Sequence, residues 1–319
     1  MKIRLITPYP PAARNGNSIT AVRWRRILRK LGHRVILEQR YGGGPCDLMI
    51  ALHARRSFPS IKRFRRLHPA APLVVALTGT DLYRDIRNHA TARKSLEWAT
   101  RLIVLQAQGA VELPKRFRSK TSVIYQSSPL LNRRPPLNRN GFRVSVVGHM
   151  RPEKDPLRTA LAARRLPASS RVQVIHIGRA LSDEMERRAR AEQARNARYR
   201  WIGELSHWKT RRALAQSHLL ALTSRMEGSS NVLCEALASS VPVVASKIPG
   251  LIGTLGNNYP GYFSVGDARQ LAHLLRKAES DPAFYRRLKF HCARLRRLVE
   301  PKRERAAWMR LLQEIENRR

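Results

Sequence analysis

The chain has 319 residues, 43% hydrophobic and 26% charged, with 62 Lys and Arg against 22 Asp and Glu, a formal net charge of +40. These are globular proportions and the length allows two domains, while the lack of any run of about 18 apolar residues excludes a membrane-spanning helix. Cys46, Cys234 and Cys292 are far apart and without metal-ligand spacing, which excludes a cysteine metal motif and points to the reducing cytoplasm.

The N-terminal MKIRLITPYPP carries no cleavage-site pattern and reads as a first strand over residues 3–6, ended by Pro8, Pro10 and Pro11. Asn15, Gly16, Asn17 and Ser18 lead into a helix over 19–31 that stops at Gly32. A strand, a glycine-bearing loop and a helix make either an anion site or a plain connecting turn. Strands follow at 35–38 and 47–52, the latter running into His53, Ala54, Arg55, Arg56 and Ser57. His53 and the paired Arg stand where open α/β sheets hold ligands, or His53 caps a core edge. The strand over 72–77 precedes Thr78, Gly79, Thr80, Asp81, Leu82, Tyr83 and Arg84, in which Thr80 or Asp81 suits the cap of the next helix. Strands at 101–105 and 121–124 complete the first set. The stretch 126–141, rich in Pro, Asn and Arg and without periodicity, marks the domain boundary.

The second half repeats the alternation. A strand over 142–147 is followed by Gly148, His149, Met150, Arg151, Pro152, Glu153, Lys154 and Asp155, then a helix from about Pro156. Cations at a strand-to-helix turn suit a leaving diphosphate; the plainer reading is solvated charge. Next come a strand over 171–177, a charged helix over 187–196, a strand over 199–202 with a turn at 203–205, a helix over 207–217 and a strand over 219–223. Gly250, Gly253, Gly256, Asn257, Asn258 and Gly261 make the segment after Ser246 read as a loop, before a last short strand at 263–265. Helices at 268–279, 282–299 and 303–315 close the chain, with Pro301 interrupting.

The stretch EGSSNVLCEALASSVPVVAS, residues 227–246, combines a small-residue loop, an apolar helix and a buried strand. Ser229, Ser230, Asn231 and Val232 bare backbone N–H groups at a helix start, which suits phosphate. Glu235, about one turn in, can take a ribose diol, and Glu227 can hydrogen-bond sugar hydroxyls. The competing reading is a surface Glu227 and a solvated Glu235. Cys234 is either a reactive thiol or a small buried hydrophobe. The basic residues recur on nearly every expected helix rather than in one stripe, and no aromatic-interleaved RNA motif is present, so solvated faces are favoured over specific nucleic-acid binding.

This stretch resembles the nucleotide-sugar signature of GT-B glycosyltransferases, in the retaining family that includes sucrose and trehalose-related synthases. The resemblance implies an α/β fold of two Rossmann-like domains with parallel sheets facing a central cleft: residues 1–137 for the acceptor, 138–300 for the nucleotide sugar, and a helix at 301–319 returning to the first domain. It implies that Glu227 holds the donor sugar, with Asn231, and Glu235 the ribose. Lys154 occupies the lysine position of the diphosphate grip, His149 the arginine position, and Arg151 lies two residues away. Gly148 belongs to the same loop and Gly203 to the nucleobase turn. Gly16 and Asn17 stand where the family carries two glycines, Thr78 where it often carries His, and Ser240 where it usually carries Gly.

The stretches DLMIALHARRS, VVALTGTDLYRDI, SVVGHMRPEKDP and LGNNYPGYF further resemble the selenosugar synthases of selenoneine biosynthesis. That resemblance implies transfer from UDP-N-acetylglucosamine or UDP-glucose to selenophosphate. Gly16, Asn17, His53, Arg56, Thr78, Asp81 and Arg84 are then the acceptor candidates, with Arg55 beside them, and Glu227, Lys154 and Arg151 the catalytic ones. The expected reaction passes through an oxocarbenium-like state and needs no obligate metal or other cofactor. Small molecules are the expected partners. An ordinary acceptor, a UDP-sugar epimerase and a basic nucleic-acid-binding protein remain the alternatives.

Overall fold

The computed structural model describes residues 1–13, 15–131, 135–137 and 141–317. Its chain divides into two compact units: Met1–Gln126 with Glu227–Ser230 and Pro301–Arg319, and Ser127–Met226 with Asn231–Glu300. Part of the expected boundary at 126–141 lies outside the described residues, namely Asn132, Arg133, Arg134, Asn138, Arg139 and Asn140.

In the first unit six strands, β1 (Lys2–Ile6), β2 (Arg34–Glu38), β3 (Leu48–Leu52), β4 (Leu73–Leu77), β5 (Arg101–Val104) and β6 (Thr121–Val123), pair in parallel in the order β2-β1-β3-β4-β5-β6. Every residue of β3 and β4 is buried, as a parallel sheet covered on both faces requires. Along β3 the side chains alternate between two cores. Leu48, Ile50 and Leu52 join Trp24, Leu28 and Trp308, while Met49 and Ala51 join Phe64, Val75 and Leu82. The helix Gly16–Lys30 starts three residues before its expected place because Asn15 caps it, accepting from the Ser18 N–H at 3.1 Å. Gly16 and Asn17 are therefore its first turn rather than a loop. Gly32, at φ 88, ends it in a left-handed turn that a Cβ would oppose.

The second unit repeats the plan with β7 (Phe142–Val147), β8 (Val172–Ile177), β9 (Tyr199–Trp201), β10 (Leu219–Leu222), β11 (Val243–Ser246) and β12 (Tyr262–Phe263), ordered β12-β11-β10-β7-β8-β9 and parallel. The charged helix begins at Asp183 instead of residue 187, because Ser182 caps it and Asp183, Glu184 and Glu186 favour the positive end of the helix dipole. The expected glycine-rich loop after Ser246 is largely a helix, Pro249–Leu255. Pro249 starts it, and the buried Leu251 and Leu255 outweigh the helix cost of its glycines. Ser240 follows the helix Asn231–Ala238 at φ 55, the conformation that explains glycine at this place in the family signature.

Candidate functional site

In each sheet the strand order reverses direction once, between β1 and β3 in the first and between β7 and β10 in the second. Loops leaving the carboxyl ends of such strand pairs splay apart and leave a crevice. In the second unit that crevice is lined by Gly148, Lys154, His176, Thr223 and Ser224, among others.

Two loops are stitched together to build it. Lys154 ends a tight turn, Pro152–Lys154, and Asp155 follows in a left-handed conformation, φ 44. The buried Thr223, just past β10, donates its hydroxyl to the carbonyls of Lys154 and Asp155, at 2.9 and 3.0 Å. Arg225 donates its backbone N–H to the Glu153 carbonyl at 2.8 Å. Lys154, half-buried, is thus carried on a backbone fixed from the next strand, while Arg151 is exposed.

Behind the same loop, Tyr199 and His176 are hydrogen-bonded through the phenol and Nδ1 at 2.9 Å, and His176 Nε2 points to the Gly148 carbonyl at 3.4 Å. Complete burial pulls the His176 pKa down to about 4, against the opposing effect of the Gly148 carbonyl. The ring is therefore neutral at pH 7, with Nε2–H donating and the Tyr199 hydroxyl donating to Nδ1. Gly178 permits the close approach: a Cβ there would sit 2.0 Å from the Gly148 oxygen. His149 accepts the Arg179 N–H on Nδ1 at 3.1 Å, and Gly203, at φ 71, accepts the Gly178 N–H at 2.7 Å. Glu235 is buried on the helix Asn231–Ala238 and its Oε1 meets Nε2 of His207 at 2.9 Å. Asn231 and Val232 open that helix.

In the first unit the carboxyl ends of β3 and β4 carry the other group. His53 is 2% exposed and held at φ 71. Its Nδ1 faces the Arg56 N–H at 3.3 Å and its Nε2 the Thr80 hydroxyl at 3.0 Å. Of Thr80 and Asp81, Thr80 stands at the cap position before the helical segment Asp81–Asp85, without a side-chain cap bond; Asp81 has another role. It is fully buried, accepting from Thr78 N and Gly79 N on one oxygen and from Ala54 N on the other, each at 2.9 Å. Asp85, also buried, pairs with Arg84 at 3.2 Å and Arg55 at 3.6 Å. The Arg56 guanidinium lies over the Tyr9 ring, 5.0 Å from its centroid.

The loop Glu227–Ser230 belongs to this first unit. Gly228 lies against the Thr78–Gly79 peptide so closely that a Cβ would stand 2.3 Å from the Thr78 oxygen. Burial, then the charge of Glu112 and more weakly that of Glu227, pushes the Tyr83 phenol up, so a protonated Tyr83 neighbours the Glu227 carboxylate. Glu227 and Ser230 are buried, and the Ser229 hydroxyl is a buried oxygen with no hydrogen-bond partner among the described residues. Gly16 and Asn17 lie at the start of their helix, beside the β1 end of the strand-order reversal.

Sequence reasoning missed Thr223, His176 and His207. A lone His in an apolar strand was the available signal for His176, since a buried ring must find partners; nothing in spacing links His207 to Glu235. Among the described residues no group of three His, Cys, Asp or Glu could hold a metal, and no helix is long and apolar enough to cross a membrane.

The chain is similar in structure to sucrose-phosphate synthase from Thermosynechococcus elongatus, with TM-score 0.81, 18% identity and 100% of both chains covered. It is similar to Anabaena HepE, solved with UDP-glucose, at TM-score 0.75 and 16% identity over 99% of this chain and 100% of that one. Trehalose 6-phosphate synthase from Burkholderia multivorans matches at TM-score 0.69 and 13% identity, over 86% of this chain and 71% of that one. At these identities the likeness shows the fold, the GT-B arrangement of two parallel-sheet α/β domains. The family description "Glycosyl transferases group 1" matches residues 130–291, half of the chain and the whole crevice-bearing stretch from Gly148 to Glu235. The chain belongs to the group 1 glycosyl transferases and is a glycosyltransferase.

Proposed function

We propose that this glycosyltransferase moves a sugar from a UDP-sugar, UDP-glucose or UDP-N-acetylglucosamine, to selenophosphate. In this reading residues 1–137 serve the acceptor, residues 138–300 the nucleotide sugar, and the helix of 301–319 completes the first domain. The observation that carries it is the crevice at the β7–β10 reversal, where Thr223 holds the Lys154 turn at the carboxyl ends of the strands. Lys154, with Arg151 or His149, offsets charge on the departing diphosphate, and Gly148 allows close approach. Glu235, whose Oε1 is engaged by His207, takes the ribose in this reading. Glu227 and Asn231 hold the sugar, aided by Ser229, Ser230 and Val232, and Gly203 borders the base. The HepE structures contain UDP, UDP-glucose, or UDP with glucose, which supports a UDP-linked donor here.

In the reaction the anomeric C–O bond to UDP breaks and a C–Se bond forms, with the electron pair leaving on the UDP oxygen. Selenophosphate supplies a strong nucleophile already ionised, so no general base is required. That agrees with Thr78 where relatives often carry His. The cations Arg55, Arg56 and Arg84, with His53 and the helix start at Gly16 and Asn17, suit a small anion.

The test incubates the protein with a panel of nucleotide sugars, with and without selenophosphate, and identifies products by mass. A selenium-containing glycosyl phosphate is expected. A product only with sugar or alcohol acceptors would replace selenophosphate by an ordinary acceptor, and an altered free nucleotide sugar would mark an epimerase. Glu227→Ala and Lys154→Ala should each lower turnover by about 100-fold or more with folding intact. Near-normal turnover in both variants rejects the assignment.

A further inference from the structure

We infer that Thr80 is an acceptor-binding residue, and that His53 is its positioning residue, aiming the Thr80 hydroxyl as a donor at an acceptor that arrives ionised. The inference rests on the transferase reading above and names a recognition element within it.

The Arg56 N–H points at Nδ1, so Nδ1 is the bare nitrogen. Nε2 then carries the proton and donates it to the Thr80 oxygen at 3.0 Å, with the Asp85 carboxylate 3.9 Å from the same nitrogen. That direction decides what Thr80 can do. With one lone pair occupied by His53, the hydroxyl proton must point elsewhere, and among the described residues Thr80 makes no other side-chain hydrogen bond. Thr80 is half-buried, whereas His53 behind it is closed off.

The surroundings hold this geometry firmly. His53 sits at φ 71, a conformation costly for a residue with a Cβ, so the ring is kept where an ordinary extended strand end would not put it. The Asp81 carboxylate ties the backbone on both sides of the ring, through Ala54 and through Thr78 and Gly79. Gly79 in turn packs on Gly228, one residue from Glu227, which brings the Thr80 turn beside the sugar-binding loop. Arg84 and Arg55, anchored on Asp85, place positive charge on the same turn.

The same hydrogen bonds disqualify His53 as a base. Nδ1 faces a backbone N–H and Nε2 already bears its proton, so the pair cannot strip a proton from a neutral alcohol. It can hydrogen-bond an oxyanion. The site thereby selects acceptors of the phosphate or selenophosphate class, ionised before they bind.

Thr80→Val and Thr80→Ser test this in steady-state transfer to selenophosphate, beside UDP affinity by calorimetry. Thr80→Val, which keeps the shape and loses the hydroxyl, should raise KM for selenophosphate by about 10- to 100-fold, as loss of a hydrogen bond to a charged group does. Its UDP affinity should match wild type, and Thr80→Ser should restore KM to within about 3-fold of wild type, the size of a weakened rather than lost hydrogen bond. His53→Asn, which tolerates the left-handed backbone, should raise the same KM with UDP affinity unchanged. Wild-type KM in Thr80→Val overturns the inference while leaving the transferase reading in place. An equal loss in Thr80→Ser and Thr80→Val overturns it too, since packing alone would explain it. Failure of the wild-type protein to form any selenium-containing product overturns the reading on which it rests.

Discussion

His176 shows how one buried side chain can set a loop. Its neutral ring bridges Tyr199 and the Gly148 carbonyl, so the turn carrying His149 and Lys154 starts from a fixed peptide. Burial holds its folded pKa near 4, below the unfolded value of about 6.5. Between those values the unfolded chain binds more protons, so this contribution is complete above about pH 6.5 and is lost as pH falls toward 4. Its ceiling is about 3 kcal/mol. Denaturant titrations between pH 7 and 4 should show that slope in the wild type and a flatter one in His176→Gln; parallel slopes would refute the assignment. At this scale the sequence was partly legible. Lys154, Glu227 and Glu235 stand out as candidates because their types and spacing suit chemistry. Thr223 and His207 do not, because their value lies in the partners that the fold brings to them.

At the scale of elements, the C-terminal helix Pro301–Glu316 is the clearest case of a local signal needing a distant partner. Pro301 starts this helix rather than interrupting the chain, as proline does well at a first helical position. Glu304 on it is 1% exposed and accepts from Trp24 Nε1 at 2.8 Å and from Arg23 Nε at 3.0 Å, both on the helix Gly16–Lys30. Trp308 meets Trp24 edge to face, with ring centroids 4.8 Å apart. Removing the carboxylate leaves a mostly buried Arg23 and a buried indole N–H without it. Glu304→Ala should therefore destabilise the first unit by about 3 kcal/mol, whereas Glu97→Ala, in an ion pair with Arg116 that is exposed on both sides, should cost under about 1 kcal/mol. Equal urea midpoints for the two variants would refute that ranking. The helices at 183–195 and 249–255 teach the same lesson from the other side. A Ser182 cap and two buried leucines outweigh composition that reads as charged coil or glycine loop.

For the whole molecule, the charge of +40 is the property most open to misreading. Several of its acids are engaged in ion pairs: Glu192 with Arg164 and Arg195, Glu186 with Arg190, Asp155 with Arg158. The surplus cations should give sequence-independent DNA binding that weakens steeply from 50 to 200 mM salt, by about 1000-fold or more if six or more phosphates are engaged. The affinity for UDP, on the proposal that it binds in the crevice at Lys154, should change far less over the same range. Equal salt dependence of the two would argue that UDP is held by diffuse charge and not in a formed crevice. The amino-acid sequence by itself determined the α/β alternation, the two sets of parallel strands and the family signature. Those follow from short apolar runs, caps and small-residue loops, whose physics is local. Tertiary structure alone decided the strand orders, and with them the two reversals where crevices open. It also decided that Gly228 rests on Gly79, that His207 meets Glu235 and that Thr223 clasps Lys154. Such contacts join residues far apart in the chain, and no periodicity within a segment specifies which other segment will lie beside it.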